Sequence, residues 1–288
     1  MQNKVVKINE ACQTIQNGET VAIGGLTIHR KPMSFIHELI RSGKKELHLL
    51  TLGGSIDVDL LIAAGSIDRI DAAYVGLEIL GFAPNFRKAV EGRVIEFNEH
   101  TEYSIMAGLE ANLIEAEFIP SKLLIGTDIL KSLNYKTFRS PITDDLLVAY
   151  PRICPDVAII HVQRCDEYGN CQINGINAID LLLAKSSRRV IVTTEKILPT
   201  EDFMSVPSST NLPSTFVDTV VESPFGAHPT SCFPHYTYDL WHLLHYMESS
   251  KKGKAENYIK QHITDLVSFE DYLNLVKDNV KRVTVREP

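Results

Sequence analysis

No apolar run in this sequence approaches the roughly 20 residues that a bilayer span requires, so nothing reads as a membrane helix. The N-terminus, MQNKVVKINEACQ, carries charges throughout and lacks the apolar core of a signal peptide; a cytoplasmic protein is expected. Basic excess is missing as well. Lys and Arg number 29 against 36 Asp and Glu, a net charge of −7, which argues against nucleic-acid binding. The five cysteines, Cys12, Cys154, Cys165, Cys171 and Cys232, form no CxxC pair and no zinc-type spacing, and read as free, inert thiols. No Ser-His-Asp or Cys-His arrangement stands out, and there is no internal repeat or low-complexity linker. What remains is an ordinary composition, 44% hydrophobic and 23% charged, in a chain with ample volume for a core.

One stretch organises the rest: Asn17 to Pro32, NGETVAIGGLTIHRKP. Thr20 to Ile23 is β-prone and short enough for a fully buried strand. Gly24 and Gly25 permit a sharp turn with uncovered amides, and Pro32 suits a helix start whose apolar face is Met33, Phe35, Ile36, Leu39 and Ile40. Strand, Gly-Gly loop and helix N-terminus can point amides at a carboxylate, a phosphate or a developing oxyanion. A tight βα turn without a ligand uses the same residues.

Further along, Glu46–Leu52, Ile70–Val75 and Arg93–Phe97 read as strands separated by helical segments. Such alternation implies right-handed crossovers and a mostly parallel open sheet with helices outside, an α/β fold. Ligands of such sheets lie beyond the carboxyl ends of the strands. Four loops share that address: 24–32, 53–57, 76–84 and 98–102. They offer Leu26, Arg30, Gly54, Ser55, Glu78 and Gly81 as candidate substrate contacts, and Arg30 as a bidentate clamp for a carboxylate. Glu99 and Glu102 read either as helix-terminus residues favoured by the macrodipole or as a general base.

Phe118 to Thr143 lacks periodicity and reads as an excursion over one sheet edge. Buried strands resume at Val157–Val162, Arg189–Thr194 and Val217–Pro224, with a helix at Ala178–Ala184. His161 beside Asp166 reads as a structural pair in a turn. His228, Cys232 and His235 are spaced for one helical face, but Pro229 and Pro234 interrupt it, so no metal is expected. From about 238 the chain is helical, ending in a charged tail expected to fray. A single domain over 1–288 accommodates all of this.

The opening stretch resembles the signature of family I CoA-transferase α subunits: Asn17, Gly18, Val21, Ala22, Ile23, Gly24, Gly25 and Pro32 match it. Leu26 stands where the pattern has Phe, and Arg30 where it has Gly; both departures resemble the glutaconate CoA-transferase branch. His161, Asp166, Gly169 and Asn170 fit a second family segment, and VVESPFGAHPTSCFPHYTYD a third.

The resemblance implies a NagB/RpiA/CoA-transferase-like fold and a homologous β subunit, in an αβ or α2β2 assembly. It implies passage of CoA from an acyl-CoA to a carboxylic acid through a glutamyl-CoA thioester. The nucleophilic Glu lies in a Ser-Glu-Asn-Gly motif on the β subunit. This chain lacks that motif. Its own share is then the Gly24-Gly25 amides that stabilise the oxyanion, with no permanently bound cofactor and a coenzyme A thioester as substrate. A side chain at Gly25 is expected to harm transition-state binding more than folding. Two other readings stay open: a related hydrolase that opens a cyclic ketone-CoA ring with Glu99 or Glu102 as base, and a non-catalytic CoA- or phosphate-binding relative.

Overall fold

The computed structural model describes residues 2–285. Met1 and residues 286–288, the end of the tail for which fraying is expected, lie outside the described residues. Eleven strands occur among them: β1 Thr20–Ile23, β2 Leu47–Gly54, β3 Ile67–Val75, β4 Glu96–Glu99, β5 Phe118–Ser121, β6 Thr137–Arg139, β7 Leu146–Pro151, β8 Val157–Cys165, β9 Cys171–Gln172, β10 Arg189–Ile197 and β11 Thr219–Glu222. Eight form one sheet in the order β11-β10-β8-β1-β2-β3-β4, with β9 added antiparallel to β8. Every other pair in it is parallel, as in Val21 against Leu49 on one side and Val157 on the other.

The alternation of side chains along a strand explains how both faces are covered. Val21, Ile23, Leu49 and Ile159 point into one apolar layer, while Ala22, Leu50, Ala158 and Ile160 point into another. The first layer packs against α1 (Ile8–Gln13), α2 (Met33–Arg41), α3 (Ile56–Ala63) and α4 (Pro84–Glu91). The second packs against α5 (Glu102–Leu113), which follows β4. All five apolar positions read for α2 are buried.

Residues 118–151 hold a separate antiparallel sheet, β5-β7-β6, with the short helix α6 (Asp128–Ser132). Its strands are three to six residues long and half exposed, so no periodic apolar face marks them in the sequence. After it, α7 (Asp180–Ser186) joins the second layer, and α8 (Thr200–Ser205) lies between β10 and β11. The C-terminal helices are α9 (Leu240–Lys251), α10 (Ala255–Ile259), α11 (Phe269–Leu275) and α12 (Lys277–Val283). Leu243, Tyr246 and Met247 of α9 and Tyr258 and Ile259 of α10 complete the first layer.

Strand order reverses at β1, which runs on to β2, β3 and β4 on one side and meets β8 on the other. In doubly wound sheets a crevice opens at such a switch point, beyond the carboxyl ends of the strands. The Gly-Gly loop leaves β1 at that place.

Candidate active site

β1 ends at Ile23, and the next eight residues fold back in a short hairpin in which Leu26 and His29 exchange backbone hydrogen bonds. Thr27 and Arg30 have φ of 48° and 52°, left-handed values that cost a non-glycine residue energy and cluster at functional sites. Gly25 sits at φ 72°, and a Cβ there would lie 2.5 Å from the carbonyl oxygens of both His29 and Arg30. Glycine is therefore demanded by the turn itself, so a side chain at Gly25 disrupts the loop as a fold element as well as any ligand it meets.

The loop's amides have partners inside the chain. The Gly24 N–H donates to the Ile159 carbonyl at 2.9 Å, and the Gly25 N–H to Asp180 Oδ1 at 2.8 Å. The Leu26 and Thr27 N–H groups reach the carbonyls of His29 and Gly53. Pro32 is the residue before α2 and offers no N–H. The hairpin is thus a closed, preorganised wall of the crevice.

Two consecutive cations fasten it. Arg30 is 3% exposed; its guanidinium donates to Asp180 Oδ2 and to the Ile176 carbonyl at 2.5 Å each, and to the His161 carbonyl at 2.8 Å. It is committed within the chain and points no free fork at a substrate carboxylate. Lys31, fully buried, lies 3.3 Å from Asp57 Oδ2, from the Gly24 carbonyl and from Thr51 Oγ1. Burial lowers the Lys31 pKa, and Asp57 acts in the opposite direction. Buried charges survive only when paired and hydrogen-bonded; Arg30–Asp180 meets both conditions, whereas Asp57 Oδ2 meets Lys31 as an ion pair without a hydrogen bond, and Asp57 Oδ1 accepts from the Ser55 N–H.

Two neighbouring loops converge on this wall. A Cβ on Gly53 would lie 2.9 Å from the Leu26 side chain, and the Gly76 N–H donates to the Gly54 carbonyl. Leu77 and Gly81 then pinch off a small loop holding Glu78, a third left-handed non-glycine at φ 52°. Burial lowers the His29 pKa, with the Glu78 charge opposing it. Glu78 and Gly81 are exposed, Leu26 is half-buried, and Gly54 and Ser55 are buried. Thr27 Oγ1 and Ser55 Oγ are buried without a hydrogen-bond partner among the described residues.

Glu99 and Glu102 stand apart from this cluster. β4 is three strands from β1, which at ~4.8 Å per strand puts Glu99 roughly 14 Å across the sheet. Glu102 is the first residue of α5, capped by a reciprocal Thr101–Ser104 box. Both carboxylates are exposed, with no hydrogen-bond or ion-pair partner among the described residues.

No motif in the sequence singles out Asp180, Asp57, Lys31 or Glu195. Glu195 accepts from the Phe225 N–H at 2.6 Å, shares a hydrogen bond with His161 Nε2 at 2.8 Å, and accepts from the Tyr236 hydroxyl. With Cys232 these side chains bring three metal-type ligand atoms within 4.8 Å, where the carboxylate already meets three protein hydrogen-bonding groups. His228 faces Tyr272 and Asp239 instead, so it joins a different cluster from Cys232. Asp166 accepts the N–H groups of Tyr168 and Asn170 and fixes its turn. All five cysteines are free, with Cys154 alone half-buried and the others buried.

The fold and this loop architecture have counterparts among known proteins. Residues 5–223 match the family model described as Coenzyme A transferase. A protein of Archaeoglobus fulgidus is 36% identical over 280 residues, 96% of this chain, and the match spans 63% of that protein's length. The cholesterol ring-cleaving hydrolase IpdA subunit of Rhodococcus jostii is 31% identical, with 96% of each chain covered. A glutaconate CoA-transferase subunit of Acidaminococcus fermentans is 28% identical, over 94% of this chain and 91% of its own. The crystal structure of that transferase superposes with a TM-score of 0.94 at 27% identity, covering 98% of this chain and 96% of its own. This chain therefore belongs to the coenzyme A transferase family, as an α-type member of the glutaconate CoA-transferase-like branch.

Proposed function

We propose that the chain is the α subunit of a heteromeric acyl-CoA:carboxylate CoA-transferase of the glutaconate, dicarboxylate or 3-oxoacid type. Its partner, a homologous β subunit, supplies the nucleophilic glutamate. The near-complete superposition on glutaconate CoA-transferase carries this reading. The hairpin at the switch point, held by two buried ion pairs, forms one wall of the acyl site, and the exposed Glu78–Gly81 loop faces substrate or partner. The partner carboxylate, ionised at neutral pH, attacks the thioester carbonyl and expels CoA thiolate; no base on this chain is required.

Preorganised donors at the developing oxyanion are worth about 3 kcal/mol. For Gly25 to be such a donor, its N–H must leave Asp180 or be shared with it. Coenzyme A thioester is substrate in this scheme rather than resident cofactor.

The test is turnover by the chain alone and after co-expression with a β-type partner. Exchange of CoA between an acyl-CoA and a free dicarboxylate is expected only in the complex. Full turnover by the isolated chain would overturn the proposal.

A second reading has its own support, the even coverage of the ring-cleaving hydrolase subunit. There water, not a carboxylate, is the acceptor, and exposed Glu99 or Glu102 would be its base.

A further inference from the structure

Backbone N–H groups of buried residues are nearly always paired, so an open one in a crevice marks a place for another molecule. Along the hairpin, the Gly24, Gly25, Leu26 and Thr27 N–H groups are taken by Ile159, Asp180, His29 and Gly53. Past the turn, His29 donates to the Leu26 carbonyl at 2.9 Å, Arg30 to the Ser231 carbonyl at 2.7 Å and Lys31 to Thr230 Oγ1 at 3.2 Å. The Ile28 N–H has no acceptor among the described residues, although Ile28 is only 6% exposed. From Gly24 to Lys31 it alone is open.

Its position is fixed from both sides. The N–H belongs to the Thr27–Ile28 peptide unit. The unit before is held by the Thr27 N–H on the Gly53 carbonyl at 3.0 Å, and the unit after by the Ser231 N–H on the Ile28 carbonyl at 2.9 Å. Thr27 is kept at φ 48°, strain that persists only where the surroundings over-determine it. Leu26 and His29, which close the turn, are half-buried, so the tip opens onto the crevice. Arg30 and Lys31 behind it are taken by Asp180 and Asp57. Burial lowers the His29 pKa, so its ring is neutral at pH 7, and Glu78, whose charge opposes that shift, is exposed to solvent, which weakens its field. What the tip offers a ligand is therefore a fixed dipole.

We propose that the Ile28 N–H, rather than the Gly24 or Gly25 amide, is the donor with which this chain receives the thioester carbonyl oxygen. This assignment rests on the transferase reading and names the donor of that site. As a carboxylate oxygen of the partner bonds to the carbonyl carbon, the π pair moves onto oxygen, and the N–H stabilises the charge. Collapse restores the C=O and breaks the C–S bond, releasing CoA thiolate. No proton moves in either step. The Ile28 N–H gives up no bond in order to act, whereas the Gly25 N–H must leave Asp180.

In the assembled complex, Ile28 is replaced by its α-hydroxy acid counterpart, which turns the N–H into an ester oxygen and leaves the side chain in place. The Thr27 carbonyl accepts no hydrogen bond among the described residues, so the ester weakens none. CoA exchange should fall about 100-fold in kcat, with KM and Tm close to the parent's. The same exchange at Gly25 is the comparison and should lower Tm, because it breaks the bond to Asp180. Without any substitution, deuterium exchange should be faster at the Ile28 amide than at the paired Gly25 and Thr27 amides. An active parent with unchanged kcat in the Ile28 ester, a kcat loss with parent-like melting at Gly25 alone, or an Ile28 amide protected like its neighbours would each overturn this assignment alone. A parent complex that exchanges no CoA would overturn the transferase reading and this assignment with it.

Discussion

Asp180 shows how one carboxylate can hold a functional loop. Its two oxygens take the Gly25 N–H and the Arg30 guanidinium, and a Cβ on Gly24 would lie 2.6 Å from the first of them. Removing it leaves a buried guanidinium without its counter-charge, which costs about 3–5 kcal/mol. Asp180→Ala should therefore lower Tm by on the order of 10 °C in a thermal melt. The double variant Arg30→Met/Asp180→Leu, which removes both charges, should recover most of that loss. A single variant melting within a degree or two of the parent would show that the clamp does not hold the hairpin. Glu102 decides between the two proposed reactions. Under the transferase reading it is a helix-terminus residue, and Glu102→Gln in the assembled complex changes kcat by less than about threefold. As the base of a hydrolase it would be worth on the order of 100-fold. Parallel kinetics on Glu99→Gln show which of the two carboxylates, if either, is that base.

At the scale of elements, the C-terminal helices dock through histidines. His37, on α2, is fully enclosed by Phe269 and Tyr272, and neither ring nitrogen has a hydrogen-bond partner among the described residues. Burial drives its pKa well below 6.5, helped by Arg41, and burial likewise lowers His242 and His262 nearby. Burial would raise Asp239, but hydrogen bonds from His228 and the His242 N–H outweigh it and hold it at about 2, so it stays ionised over the range that matters. The sign follows from linkage. Below pH 6.5 the unfolded chain takes up protons at these rings before the folded chain does, so stability is complete above 6.5 and falls as pH drops. Melts from pH 8 to 5 should be flat down to about 6.5 and then decline. His37→Leu should shallow the decline, and an unchanged slope in that variant would remove His37 from the effect.

On the scale of the whole molecule, the parallel sheet, its flanking helices and the approximate places of β1, β2, β3, β8 and β10 follow from local pattern. β1 and β8 carry short continuous apolar runs, Val21–Ile23 and Val157–Ile160, and Gly24-Gly25 and Gly53-Gly54 mark the ends of β1 and β2. Boundaries drift where the pattern is weak: β4 lies at Glu96–Glu99 rather than Arg93–Phe97, on an edge where few residues are buried. The candidate site was legible as a set of loops, because every parallel strand delivers its carboxyl end to one side of the sheet. The use of each side chain was not. Arg30 reads as a loop cation free to clamp a ligand, yet it meets Asp180, 150 residues on, and Lys31 meets Asp57 across the next strand. A row of hydrogen-bonded polar side chains, Thr20, His48, Asp71 and Asn98, is scattered over four segments and becomes a row only when β1 to β4 lie side by side in register. Spacing along the chain sets backbone conformation and which faces are apolar, since those depend on near neighbours. Which charges find partners depends on strand order and crossover, and these exist only in the folded chain.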